Sequence, residues 1–280
     1  MKTELFMCET FLRPRMVLLP VIMCAAAALS VRAIADDLPQ DAQRAESFSS
    51  SGVVVFERGT TLWLQLKAEA IAERRAILPR LCAPIRSWRW RNDSDAELKF
   101  VPEPTNWVFS WKQPVAEGSV IEVEFDSVPK LPQDCPAATS VGDGSVLLHA
   151  SQAATFGEKL RYEPQWFKNT VGYWTVPTDY AAWDLQIDQP GQFTVAILQG
   201  CGTGQGGSDA ALTLRQGDGV TAELPFQTVD TGHFQNFRWL HLGTITVEDS
   251  GTYQLRIIPV RIAKAALCDI RMVHLVRQAR

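Results

Sequence analysis

Residues 199–209, QGCGTGQGGSD, contain Gly202-x-Gly204-x-x-Gly207, the spacing with which a glycine-rich loop brings backbone N–H groups up to a dinucleotide pyrophosphate. That chemistry needs a strand before the glycines and a helix after them, because the helix N-terminus stabilises the phosphates. FTVAILQ supplies the strand, but SDAALTLRQGDG alternates Leu212 and Leu214 and reaches a turn at once, so no crossover helix follows. The spacing therefore predicts a long connection between two strands, with glycines that permit positive φ. Other catalytic signatures are missing: no GxSxG elbow, no HExxH, no P-loop, and His149, His233, His241 and His274 lack metal-ligand spacing. His233 close to Asp230 invites an acid/base reading, which a loop histidine earns only with a perturbing pocket around it. The carboxylate pair of a glycosidase is set by distances in space and leaves no spacing to read.

The elements that would position any such residues are strands. From Ser51 the chain gives GVVVF, TTLWLQL, IRSWRW, AELKFV, NWVFSW and SVIEVEF, with Leu62, Leu64 and Leu66 on one face and Trp63 and Gln65 on the other. AEAIAERRAIL (residues 68–78) reads either as a helix or as a charged hairpin. Trp88 and Trp90 share one strand face and Trp107, Phe109 and Trp111 another. They form either a flat stacking platform or an inter-sheet core rimmed by Arg86, Arg89 and Arg91, and the core is favoured because aromatics dominate buried sheet faces. VPKLPQDCPAATSVGDG (128–144), with three prolines and two glycines, reads as an inter-domain linker. From Ser145 more short strands follow, punctuated by turns such as Gln189-Pro190-Gly191-Gln192 and Asp249-Ser250-Gly251-Thr252. The pattern predicts an all-β protein of two antiparallel β-sandwich domains, 51–127 and 145–276, the second of sandwich or jelly-roll type. Trp183 alternates with Leu185 and Ile187 and belongs to its core.

With 280 residues, 46% hydrophobic and 21% charged, the chain is long enough for one large or two ordinary folded domains. A net charge of −4 argues against nucleic acid as a partner. Arg13 and Arg15 precede the apolar run Met16–Val31, followed by Arg32 and Ala33-Ile34-Ala35. This order predicts a signal peptide over residues 1–35, a polar linker over 36–50 and a secreted or periplasmic protein with no membrane attachment after cleavage. The run falls short of the roughly 20 residues of a membrane span. Cys24 would need a small residue before it to be a lipoprotein site, where Met23 stands, and Met7 or Met16 are alternative starts. Removing Cys8 and Cys24 leaves Cys82, Cys135, Cys201 and Cys268, with no CxxC among them. An even number in an exported chain predicts disulfides, and the domain boundary favours Cys82 with Cys135 and Cys201 with Cys268.

The run LRYEPQWFKNTVGYWTVPTDYAAWDLQIDQPGQFTVAILQGCGTGQGGSDAALTL, then FQTVDTGHFQNFRWLHLGTITVEDSGTYQLRIIP and CDIRMVHL, resembles a galactose-binding-like carbohydrate-binding module. Such modules lie at the C-terminal end of secreted bacterial α-L-fucosidase-like glycoside hydrolases and of some sulfatases. The resemblance covers about 145–276, and residues 51–127 more loosely resemble the β-domain that precedes the module. It implies that the second sandwich is a galactose-binding-like jelly roll. It implies no catalysis, since the fucosidase barrel needs about 250 residues of alternating strand and helix that this sequence lacks. Related modules often carry an Ala-Glu pair whose Glu holds structural Ca²⁺. His149-Ala150-Ser151-Gln152 has no Glu there, so no cofactor is expected and structural calcium is doubtful. Sugar rings stack on aromatics while polar side chains fix their hydroxyls. The resemblance places the ligand in loops at one end of the sandwich, which makes Tyr173, Trp174, His233, Phe234, Gln235 and Asn236 the candidates. Period two requires that one of Tyr173 and Trp174 point inward, and Phe234 or Phe237 could plug the core. The expected partner is a polysaccharide or glycan, fucosylated or sulfated, with a separate hydrolase as a possible companion. The alternatives are an interaction sandwich without a sugar site and a hydrolase betrayed by two close carboxylates in a cleft.

Overall fold

Alternating apolar and polar residues build strands along nearly the whole of the computed structural model, which describes residues 38–91 and 96–279. The signal-peptide reading of 1–35 lies outside the described residues. The first half contains β1 (Gln43–Arg44), β2 (Val53–Arg58), β3 (Thr61–Leu66), β4 (Arg75–Pro79), β5 (Ile85–Trp90), β6 (Lys99–Pro102), β7 (Asn106–Ser110) and β8 (Val120–Phe125). They pair antiparallel as a five-stranded sheet, β1-β2-β3-β8-β5, and a three-stranded sheet, β4-β7-β6. Leu62, Leu64, Leu66, Ile121 and Val123 are buried between the sheets with Trp107 and Phe109. Trp107 stacks on Phe125 at 6.3 Å and Trp88 meets Phe100 at 5.2 Å, so the aromatic array is an inter-sheet core rather than a stacking platform.

Two stretches differ from the sequence reading. The described part of the polar-linker stretch, 38–50, is more than a linker: β1 pairs with β2, and Ala45 and Phe48 enter the core, an apolar contribution too brief to register as a period. AEAIAERRAIL divides. Helix α1 (Ala68–Glu73) stops at Arg74, which turns left-handed (φ 52°) and donates its N–H to the carbonyls of Ala70 and Ile71, and β4 follows directly.

The second half contains β9 (Ala138–Thr139), β10 (Val146–His149), β11 (Ala154–Phe156), β12 (Arg161–Glu163), β13 (Thr170–Gly172), β14 (Tyr180–Ile187), β15 (Gly191–Cys201), β16 (Asp209–Gln216), β17 (Gly219–Gln227), β18 (His233–Val247), β19 (Gly251–Arg261) and β20 (Asp269–Arg277). One sheet runs β12-β13-β20-β15-β18, with β10 also on β20. The other runs β11-β14-β19-β16-β17, with β9 parallel to β14. Strands β14 to β20 cross repeatedly between the sheets, as in a jelly roll. Val195, Ile197, Val273 and Leu275 from one sheet bury against Trp183, Leu185, Leu212 and Leu255 from the other, and Trp183 Nε1 donates to His149 O at 2.9 Å.

From Pro39 onward the chain is one compact unit, and the sandwiches touch through backbone as well as side chains. Ile85 N–H donates to Pro164 O (2.7 Å), and Trp166 N–H returns to Ile85 O (2.9 Å). The 128–144 segment is tied down at both ends: Cys82 N–H donates to Lys130 O at 2.8 Å, and β9 lies along β14. The expected disulfides are absent, and Cys82, Cys135, Cys201 and Cys268 are free thiols. Counting cysteines gives pairs without giving their bonding state.

Outside the first sandwich, Trp63 and Glu122 lie on the face of the five-stranded sheet away from the core. Trp63 Nε1 donates to Glu122 Oε2 at 2.8 Å, Arg91 Nη1 reaches the same oxygen at 2.6 Å, and Arg89 pairs with Oε1. Burial on its own would raise the Glu122 pKa, but the hydrogen bonds from Arg89 and Trp63 and the Arg89 charge outweigh it and hold the carboxyl below its usual range. The native state therefore binds fewer protons here than the unfolded chain. Its stabilisation is complete above the ordinary carboxylate range and is lost as pH falls through the lowered value. Glu122→Gln should lower unfolding stability by about 1–3 kcal/mol at pH 7, and urea titrations should show the deficit shrinking towards acid pH.

Candidate functional site

At one end of the second sandwich a cleft of about 420 Å³ opens between β12, β13, the starts of β18 and β20, and the loops that follow β15 and precede β20. Strand alternation sets its wall. Tyr162 points into the core, so its neighbours Arg161 and Glu163 point out to the cleft. β13 pairs alongside, with Arg161 opposite Gly172 and Glu163 opposite Thr170. Gly172 is required there: a Cβ would stand 2.6 Å from Asp269 Oδ1 and 3.1 Å from Glu163 Oε2, so two carboxylates crowd one bare Cα. Glu163 is ion-paired to Lys168 Nζ at 2.8 Å. Asp269 is 5% exposed and its carboxylate makes no hydrogen bond among the described residues. Burial above all, with the Glu163 charge adding and Lys168 opposing, pushes the Asp269 pKa well above the usual carboxylate value.

Next to Gly172, Tyr173 adopts a left-handed backbone (φ 62°), an uncommon state for a bulky residue that often accompanies a functional position. This twist breaks the period-two pattern, leaving the Tyr173 ring 50% exposed on the cleft and turning Trp174 inward. The Arg161 guanidinium lies 3.7 Å above the Tyr173 ring centroid. Arg161 is largely buried, with 16% of its side chain exposed. It makes no hydrogen bond among the described residues: Nε has no partner, and Nη2 stays 3.9 Å from Glu163. Its donors are uncommitted and sit at the wall of a cleft.

Three of the six residues named from sequence line this cleft: Tyr173, Phe234 and Gln235. Trp174 does not. It is fully buried and donates Nε1–H to Asp179 O at 2.9 Å, so it belongs to the core. His233 and Asn236 shape the loop instead, His233 Nδ1 accepting the Gln235 N–H at 3.1 Å and the Asn236 amide donating to Thr231 O. Asp230 accepts the N–H groups of Gly204 and Gly232, which makes it a loop clamp rather than a catalytic partner of His233. The glycine-rich loop leads into strand β16, not a helix. Two of its glycines have a steric role. A Cβ at Gly200 would meet Phe234 O at 1.9 Å and one at Gly202 the Phe234 ring at 2.6 Å, so their bareness lets Phe234 reach the cleft.

Sequence reasoning missed Arg161, Glu163, Lys168 and Asp269. The available signal was a charged pair flanking a tyrosine in RYE and a lone acid opening the apolar strand DIRMVHLV. Among the described residues no three His, Cys, Asp or Glu side chains converge, and Gln152 Oε1 is taken by His149 N–H. No helix among them is long and apolar enough to cross a membrane.

No protein-family profile matches the chain, and neither does any curated protein. Several solved structures are similar to it at low sequence identity. An α-L-fucosidase from Vibrio sp. strain EJY3 is 13% identical over 89% of this chain, which spans 44% of the fucosidase, with a TM-score of 0.34. The C-terminal CBM6 of LamC, a laminarinase of the marine bacterium Zobellia galactanivorans, is 17% identical over 48% of this chain and 99% of its own (TM-score 0.39). A family 35 carbohydrate-binding module from Clostridium thermocellum is 13% identical over 48% of this chain and 98% of its own (TM-score 0.38).

The raised Asp269 pKa has a sign that can be tested. The folded state holds this proton where the unfolded chain has released it, so stability falls as pH rises from the ordinary carboxylate range through the raised value. Asp269→Asn should remove that loss, raising the thermal midpoint at neutral pH relative to wild type while leaving it close to wild type at acid pH. Calorimetry at several pH values measures it.

Proposed function

We propose that the chain is a secreted, non-catalytic carbohydrate-binding protein whose cleft takes an acidic sugar, either a sulfated or a carboxylated residue of a polysaccharide. The observation that carries this reading is Arg161: a mostly buried guanidinium without a hydrogen bond, laid on the exposed Tyr173 ring at the wall of a cleft. Desolvated donors of this kind favour an oxyanion, and a guanidinium offers it two parallel N–H bonds. Tyr173 and Phe234 present apolar faces of the sort that sugar C–H groups stack against, and Gln235 lies beside them for hydroxyls, whereas Gln205 Oε1 already accepts the Ala265 N–H. Asp269, with its raised pKa, would when protonated add a donor in place of a repelling charge. Export and a companion hydrolase belong to the same reading, supported by the leader-like residues 13–35 and by the family resemblance.

Hydrolysis is the second reading, and the Glu163–Asp269 pair favours it. Two carboxyls crowd one Cα in a cleft, one with a raised pKa suited to a general acid. Against it, Lys168 already neutralises Glu163, which blunts it as a nucleophile.

Affinity electrophoresis through gels containing sulfated, uronate-rich, fucosylated and neutral polysaccharides tests both readings. Retardation by an acidic polysaccharide is expected, weakened about 10- to 100-fold by Arg161→Met and also weakened by Tyr173→Ala, with circular dichroism unchanged. Equal retardation by neutral gels would remove the acidic specificity, and no retardation by any gel would favour the interaction sandwich. Release of reducing ends, lost in Asp269→Asn, would establish the hydrolase.

A further inference from the structure

Arg80 is 5% exposed and lies where the two sandwiches meet. Its Nη2 donates to Ala153 O (2.6 Å) and Ser151 O (3.3 Å), and its guanidinium sits 5.3 Å over the Tyr162 ring. None of the ion pairs among the described residues includes it. A buried cation without an anion is costly, so structures supply one. The group in place is a thiol: Arg80 Nη1 is 3.4 Å from Cys82 Sγ. Cys135, at the end of the turn formed by Pro132–Asp134, is brought beside this pair by the Cys82 N–H bond to Lys130 O (2.8 Å) and lines a pocket with Arg80. The Cys135 neighbour first, and then the Arg80 charge and hydrogen bond, overcome the effect of burial and pull the Cys82 pKa down to about 7, while the Cys135 thiol is pushed up. Both sulfur-bearing residues are only partly buried, and Cys135 with Arg80 lines a small polar pocket of about 70 Å³.

We propose that Cys82 and Cys135 are a thiol–disulfide exchange pair, in which Cys82 is the attacking thiolate, Cys135 the resolving thiol, and the co-reactant a small disulfide such as oxidised glutathione. The Cys82 thiolate attacks one sulfur of RS–SR. The S–S bond breaks, a mixed disulfide forms on Cys82, and RS⁻ leaves to take a proton from solvent. Cys135 then releases its proton, attacks Cys82 Sγ and expels the second RS⁻. Two protein thiols are oxidised to one disulfide while RS–SR is reduced to two RSH. The bond would fasten the 128–138 segment to the Leu81–Ile85 turn, replacing the charge pairing of Arg80 with a covalent one. None of this depends on the cleft or on its ligand.

Competitive alkylation of the full wild-type chain with limiting iodoacetamide at pH 7, read by peptide mass spectrometry, should label Cys82 about tenfold faster than Cys135, Cys201 or Cys268. Incubation with oxidised glutathione should yield a linked Cys82–Cys135 peptide pair in the wild type, a persistent glutathione adduct at Cys82 in Cys135→Ser, and neither species in Cys82→Ser. Equal alkylation rates, a wild type that stays reduced, or adducts forming on Cys135 when Cys82 is replaced would each overturn the proposal. The wild-type alkylation rates stand even if a variant fails to fold.

Discussion

Tyr162 is the residue on which the rest of the structure depends. Its ring is fully buried, packs 6.4 Å from Trp107 of the first sandwich, lies under the Arg80 guanidinium, and is pinned by its hydroxyl, which donates to Asn169 Oδ1 at 2.9 Å. Because β12 is only three residues long, fixing Tyr162 inward fixes Arg161 and Glu163 outward. One aromatic thus joins the cores of the two sandwiches and aims two charged side chains at the cleft. Burial of that ring is the anchoring contribution, and the polar features around it follow from strand geometry.

Three buried charges are handled in three ways. Glu122 is saturated by two arginines and an indole N–H, which holds its charge at little net penalty. Arg80 is met by two carbonyls and a thiol while its Nε goes unpartnered among the described residues, so its compensation depends on the protonation of sulfur. Asp269 has no hydrogen bond and faces Glu163, so its carboxyl holds its proton to higher pH instead. Only the first reads as structural reinforcement. The other two leave a group whose state depends on what approaches it, and such groups mark sites more often than they mark scaffolding.

The sheets were legible because alternation is local: Leu62, Leu64 and Leu66, or Trp183, Leu185 and Ile187, announce their burial within a single strand. The inter-sheet role of Trp107 and Phe109 followed from the same rule. The Tyr173–Trp174 pair shows where the rule stops. Period two says that one ring is inside, and only the left-handed turn at Tyr173 says which. Arg161, Glu163 and Asp269 were not legible as a group, because more than a hundred residues of chain separate the first two from the third and β13–β20 pairing brings them together. The cysteine partners came from counting, but the Arg80 beside Cys82 is a fact of three-dimensional placement.

The loop after β15 is packed at its root, and its tip is held by Asp230 yet opens to solvent at two positions. Gly200 and Gly202 are wedged against Phe234, whereas positions 204 and 207 have no heavy atom within 4 Å of where a Cβ would project. The root can accept no side chain without displacing an aromatic of the cleft, while beside positions 204 and 207 added chain would meet only solvent at little cost in packing. The rim of the cleft is therefore a place where lineages can diverge by insertion, acquiring new contacts over the opening without renegotiating the sandwich beneath.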